Sequence, residues 1–188
     1  MNICVYCGSN SGKNPKFKQM ARQVGRAIAK KGDVLVYGGS MGGMMGAAAD
    51  ACLEAGGEVV GVMPSLLTDK EIAHNGLTKF YETKDMEERK NKMMRISDAF
   101  VILPGGFGTL EELYDTLSAS QLGIHKSPIA IFNIDGFFDP ILDMMDRVVS
   151  ETFAPDLDRG LILWVDSTEE MYQEIESFVY QVGKKYVG

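Results

Sequence analysis

Short aliphatic and β-branched runs alternate with segments of helical period along the whole chain. Ile3–Tyr6, Val34–Tyr37, Val59–Met63, Ala99–Leu103, Ile129–Asn133 and Leu161–Val165 read as strands, with Leu77–Glu82 as a further one. Pro15 to Lys31 puts Phe17, Ala21, Val24 and Ile28 on one stripe, with proline suited to the first turn and Gly32 as the stop. Gly43 to Ala55 is a helix of small residues closed by Gly56-Gly57. Asp85–Ser97, Thr109–Leu122, Phe137–Glu151 and Ser167–Gly183 complete the helices, the last opened by the capping box Ser167-Thr168-Glu169-Glu170. Ser65 to Gly76 carries no clear period.

Strand–helix alternation of this kind predicts parallel strands with helices packed on both faces. The strands are almost wholly apolar rather than alternating, which fits a sheet covered on each side. The expected fold is α/β, a single doubly wound, mostly parallel, Rossmann-like sheet, and residues 1–188 form one domain. Ligands in such sheets bind beyond the carboxyl ends of the strands, near the point where strand order reverses. The loops after Tyr37, Met63 and Leu103 are therefore the expected site.

Composition narrows the function. With 45% hydrophobic and 24% charged residues, the chain is ordinary for a globular protein. A formal charge of −7 argues against a nucleic-acid binder, which needs a dominant basic face. It leaves single nucleotides open. No apolar run approaches a membrane span, and the start MNICVYCGSN lacks a leader's basic and apolar pattern, so the expectation is cytoplasmic. The three cysteines are an odd count and read as free, buried thiols. Cys4 and Cys7 fall three apart in a strand pattern, hence on opposite faces, with no second pair to complete a zinc site.

Two glycine-rich turns follow strands and open helices: Gly38-Gly39-Ser40-Met41-Gly42-Gly43-Met44-Met45-Gly46 and Pro104-Gly105-Gly106-Phe107-Gly108-Thr109-Leu110-Glu111-Glu112. Glycines let main-chain N–H groups approach an anion, and a helix start adds its positive end. The pair is expected to face one phosphate-binding pocket. A P-loop is excluded, because Gly8-Ser9-Asn10-Ser11-Gly12-Lys13-Asn14 is too short and lacks the Ser/Thr after lysine. No G-x-G-x-x-G occurs, so a dinucleotide site is weakly supported.

Several charged residues sit in unusual places. Arg89 shares an apolar face with Met86, Met93 and Ile96, where a guanidinium needs an anion. Lys90 is beside it, while Lys92 and Arg95 fall opposite. Thr109 and Glu112 fit N-cap and N3 of a capping box, yet a carboxylate one turn beyond a phosphate loop also suits catalysis. Glu71 and His74 read as loop residues, and His125 as a surface residue at a helix end. Met41, Met44 and Met45 could line an apolar base pocket.

Taken together, Tyr37-Gly38-Gly39, Gly42-Gly43-Met44-Met45-Gly46, Met86-Glu87-Glu88-Arg89-Lys90 and Pro104-Gly105-Gly106-Phe107-Gly108-Thr109-Leu110-Glu111-Glu112 resemble the Lonely Guy (LOG) family. Cys7-Gly8-Ser9 and Gln121-Leu122-Gly123-Ile124-His125 match as well, so the resemblance runs from about Asn2 to Val182. Its members are cytokinin riboside 5′-monophosphate phosphoribohydrolases, often mislabelled as lysine decarboxylases. The resemblance implies catalytic roles for Arg89 and Glu112. It implies substrate contacts at Glu71, Lys90, Gly105, Gly106, Phe107, Gly108, Thr109, Leu110 and Glu111. Two departures concern the first glycine turn, which has Gly38-Gly39-Ser40 where plant members tend to have Gly-Gly-Gly-Ser, and Ala119, which replaces a common Trp and bears on base-pocket size.

The implied reaction is hydrolysis of the N-glycosidic bond of a purine nucleoside 5′-monophosphate, AMP or an N6-substituted relative, with no metal or redox cofactor. The rival readings are a non-catalytic nucleotide-binding module and a pyridoxal-phosphate decarboxylase. The latter needs a Schiff-base lysine that no position here offers. The family implies a homodimer, for which the Thr109–Leu122 helix with Tyr114 and Leu117 is the expected contact.

Overall fold

The apolar runs hydrogen-bond into one seven-stranded sheet in the computed structural model, which describes residues 1–68 and 73–183. The strands are β1 Asn2–Tyr6, β2 Val34–Tyr37, β3 Glu58–Pro64, β4 Lys79–Thr83, β5 Ala99–Ile102, β6 Ile129–Phe132 and β7 Ile162–Val165. Their order is β4-β3-β2-β1-β5-β6-β7 and every pairing is parallel. The helices are α1 Pro15–Lys31, α2 Gly43–Glu54, the short α3 Ser65–Thr68, α4 Met86–Ile96, α5 Phe107–Gln121, α6 Asp139–Ser150 and α7 Thr168–Ser177. The doubly wound α/β expectation holds, with the sheet wholly parallel.

Alternation along β1 divides the core. Ile3, Val5 and Cys7 pack with α1, α2 and α7, whereas Cys4 and Tyr6 pack with Met93 of α4, Leu113 of α5 and Met145 of α6. The cysteines thus lie on opposite faces, as their spacing predicts, and all three are free and buried. On the first face α1 and α2 approach closely. A Cβ on Gly25 would strike the Ala48 carbonyl, and the facing surface of α2 is Ala47, Ala48, Ala51 and Cys52. No described helix is long and apolar enough to cross a membrane.

Local chemistry sets the helix starts. Asn14 accepts a hydrogen bond from the Lys16 N–H, Asp85 from Glu88 at 2.8 Å, and Ser167 from Glu170 at 3.1 Å. Gly32 closes α1 in the left-handed conformation, φ 73°. Most boundaries shift by a residue or two from the sequence reading, and three of the differences matter. The fourth strand lies slightly later, at Lys79–Thr83. The last helix stops at Ser177 instead of Gly183. Beyond it Tyr180 donates its hydroxyl to the Ser120 carbonyl (2.6 Å) and Gly183 N–H donates to Asp158 (2.9 Å), so tertiary bonds outcompete helix continuation. The third difference, at the start of α5, affects the site.

Strand order reverses between β1 and β5, so the crevice opens beyond their carboxyl ends. The loop after β1 belongs to it, together with the loop after β5.

Candidate active site

Gly8, just past β1, ties the two glycine turns together. Its N–H donates to the Pro104 carbonyl (3.1 Å), and its own carbonyl accepts from Met44 N–H (3.1 Å) and Met45 N–H (3.3 Å). The first donors of α2 are therefore already used. The Gly42 N–H is also taken, by Ser40 Oγ at 3.2 Å. Both turns border one cleft, but the first has fewer donors to offer a phosphate than its glycines suggest, because a loop remote in sequence already satisfies Met44 and Met45.

The second turn is open. α5 begins at Phe107, with Gly106 as an N-cap that has no side chain to offer. Thr109 is thus at N3, not the N-cap, and the expected Thr109–Glu112 capping box does not exist. Gly106, Phe107, Gly108 and Thr109 all line a cleft of about 260 Å³. A Cβ on Gly106 or Gly108 would meet no protein atom, so these glycines border open space rather than packed structure. An uncapped helix start beside open space has N–H donors and a positive end that can receive an anion.

At the floor of the cleft Arg89 and Glu112 meet. Arg89 Nη1 donates to Glu112 Oε1 at 2.7 Å, and both side chains are only 8% exposed. Arg89 Nε donates to the Val62 carbonyl at 3.1 Å. α4 carries the arginine there because Met86, Arg89 and Met93 share its inward face. Burial holds the Glu112 carboxyl above the usual carboxylate range, and the Arg89 charge beside it opposes that rise. A charged pair with little water around it acts strongly on any charge developing above it.

The rest of the wall is mostly apolar: Val5, Tyr6, Cys7, Met45, Leu67 and Met86, with Ser9 and Gly38. Of the three methionines expected to bound a base pocket, only Met45 does so. Met44 is buried in the core and Met41 is half exposed elsewhere. Ala119 does not line the cleft. Burial pushes the Cys7 thiol well up, leaving it protonated and unreactive.

The other sequence-predicted residues fall as follows. Lys90 Nζ is paired to Asp115 at 2.5 Å and Glu111 at 2.8 Å, fastening α4 to α5 beside the cleft rather than inside it. Leu110 packs against the core behind α5. Gly105 lies under the turn, where a Cβ would strike Thr109. Glu71 lies outside the described residues. His74 is not a loose loop residue: its backbone N–H donates to Gly39 (3.0 Å), its Nε2 meets Asp50 (2.9 Å), and Ala73 bridges Ser40. His125 is half-buried rather than a free surface residue. Its Nε2 bonds the Thr116 carbonyl at 2.9 Å, its ring lies 5.1 Å from Phe100, and burial lowers its pKa.

Sequence reading missed Tyr6, Cys7, Ser9 and Leu67 as cleft residues. The match at Cys7-Gly8-Ser9 points to the β1 loop, but the reversal of strand order between β1 and β5 that brings it to the cleft is a long-range property. Among the described residues, no three His, Cys, Asp or Glu side chains converge as metal ligands.

A family model described as "Possible lysine decarboxylase" matches residues 45–175. The cytokinin riboside 5′-monophosphate phosphoribohydrolase LOG of Oryza sativa subsp. japonica is 40% identical over 183 residues, 96% of this chain and 76% of that protein. Its counterpart LOG7 of Arabidopsis thaliana is 38% identical over 176 residues, 94% of this chain and 81% of that protein. The chain belongs to the LOG family. Among the described residues that line the cleft there is no lysine.

Solved structures agree on the architecture. The molybdenum cofactor binding protein of Rippkaea orientalis superposes with a TM-score of 0.71 at 24% identity, covering 94% of this chain and 95% of that one. The molybdenum cofactor carrier protein of Chlamydomonas reinhardtii gives 0.69 at 21% identity, covering 93% and 95%. At these identities the likeness concerns the fold shared with LOG proteins and no more.

Proposed function

We propose that this protein hydrolyses the N-glycosidic bond of purine nucleoside 5′-monophosphates, releasing the free base and ribose 5-phosphate. The observation that carries this reading is the buried Arg89–Glu112 pair at the floor of the cleft that the uncapped start of α5 also lines. The names of the relatives supply the reaction class. In this reading the main-chain N–H groups at Phe107–Thr109 grip the 5′-phosphate. The apolar wall of Met45, Leu67 and Met86 receives the base.

As the bond from C1′ to the purine nitrogen lengthens, positive charge builds on the sugar ring. Glu112 stabilises that charge or takes a proton from the attacking water, whose oxygen becomes bonded to C1′. The base leaves with the bond's electron pair and gains a proton. Arg89 orients Glu112 and keeps its charged form accessible despite burial.

The test is incubation with AMP and with N6-isopentenyl-AMP, followed by chromatography for free base. Release of adenine or isopentenyladenine with equimolar ribose 5-phosphate is expected. Binding without release from any purine monophosphate would leave a nucleotide-binding module instead.

Two further readings belong here. The free, buried thiols suit a reducing, cytoplasmic setting. The outer face of α5 joins α6 around an apolar groove of about 220 Å³ bordered by Tyr114, Leu117, Met144 and Val148. With Met144 and Leu122 more than half exposed, we read this face as the homodimer contact. Light scattering at micromolar concentration is expected to return twice the chain mass, and a monomer mass would contradict it.

A further inference from the structure

Gly38 follows the last residue of β2 and opens the first glycine turn. Its backbone does not require glycine: Gly39 and Gly43 have positive φ, but Gly38 does not. The requirement is space. A Cβ on Gly38 would lie 2.5 Å from Arg89 Nη2 and 2.9 Å from Met45 Sδ. The guanidinium therefore rests against a bare Cα, held on its other sides by the Val62 carbonyl through Nε and by Glu112 through Nη1.

We infer that Gly38 is a positioning residue for the reaction: the missing side chain at this point is the seat of the Arg89 guanidinium, and through it sets where Glu112 stands in the cleft. This rests on the hydrolase reading above. It also gives the first glycine turn a role, since its helix donors are satisfied by Gly8 and do not await a phosphate. Both atoms that a Cβ would meet belong to flexible, unbranched side chains, the tip of one and the thioether of the other. The fold can absorb a methyl group by moving them. The catalytic geometry cannot, because an arginine moved from this seat must give up its angle to Glu112, to Val62 or to both.

The test is Gly38→Ala, alone and combined with Arg89→Ala, followed by thermal unfolding and by AMP kinetics across pH. We expect a Tm close to wild type and a kcat lowered by about 10- to 100-fold, with a smaller rise in KM for AMP, because Met45 in the base wall shifts while the phosphate-binding start of α5 is untouched. The acid limb of the kcat profile moves to higher pH, since a displaced Arg89 offsets the burial of Glu112 less well. In the Arg89→Ala background the Gly38→Ala change adds no further loss of kcat, because the guanidinium it displaces is gone and only Met45 is left to move.

Wild-type kcat and pH profile in Gly38→Ala would overturn the inference. So would an equal loss with and without Arg89, or a variant that does not fold. A wild-type protein that releases no base from any purine monophosphate would sink the hydrolase reading instead. The seat is then read from the Arg89 Nε–H resonance, expected to shift in Gly38→Ala; an unmoved resonance counts against the seat.

Discussion

Glu112→Gln is expected to lower kcat for AMP hydrolysis by about 10²- to 10⁴-fold while KM changes little, the scale of losing an acid–base or charge-stabilising group. Among the described residues that line the cleft, Glu112 is the sole carboxylate. Glutamine keeps the shape and can still accept from Arg89 Nη1, but offers no negative charge to an oxocarbenium-like sugar. The loss cannot be attributed to an unravelled helix start, because α5 begins at Phe107 and Glu112 takes no part in its cap. Steady-state kinetics with a thermal melt decide the matter. A folded Glu112→Gln protein with near-normal turnover would remove Glu112 from the chemistry.

Arg89→Ala is expected to act on both activity and stability. Breaking a buried pair by removing one partner costs about 3–5 kcal/mol, because the other charge stays buried and alone. Turnover should fall by about 100-fold or more with the orienting group gone. The stability loss has a definite pH dependence. Glu112 already sits above the usual carboxylate range because of burial, and Arg89 is the main influence holding it down. Without Arg89 its folded pKa rises further. A group whose folded pKa exceeds its unfolded value contributes fully below the unfolded pKa and loses that contribution as pH rises through the folded one. The variant should therefore be most destabilised at neutral and alkaline pH and recover toward acid. Urea titrations across pH would show this, and a pH-independent deficit would contradict it.

How far the sequence can be read depends on the range of the interaction involved. Alternating apolar runs and helical stripes locate the layered α/β fold, because each element announces its own burial. Arg89 stood out because a guanidinium occupied an apolar stripe between Met86 and Met93, and that anomaly is local. Its partner was ambiguous: Thr109 and Glu112 satisfy a capping-box spacing, and only the helix start at Phe107 removes that alternative. The two glycine turns look alike in sequence. They differ because a carbonyl from Gly8, remote in the chain, caps one and leaves the other open. The 178–183 segment leaves the helical pattern for the same reason, since its partners Ser120 and Asp158 come from other parts of the chain, and His125 is drawn in by the Thr116 carbonyl of the preceding helix.

The cleft separates its duties by side chain. In the proposed reaction bond cleavage falls to Arg89 and Glu112, which are fixed on several sides by Val62, Gly38 and each other. The wall beside them includes Met45, Leu67 and Met86, flexible unbranched or single-branched side chains that can repack around a different base. Selectivity for the leaving group can thus drift, in evolution or by engineering, while the hydrolytic machinery stays unaltered.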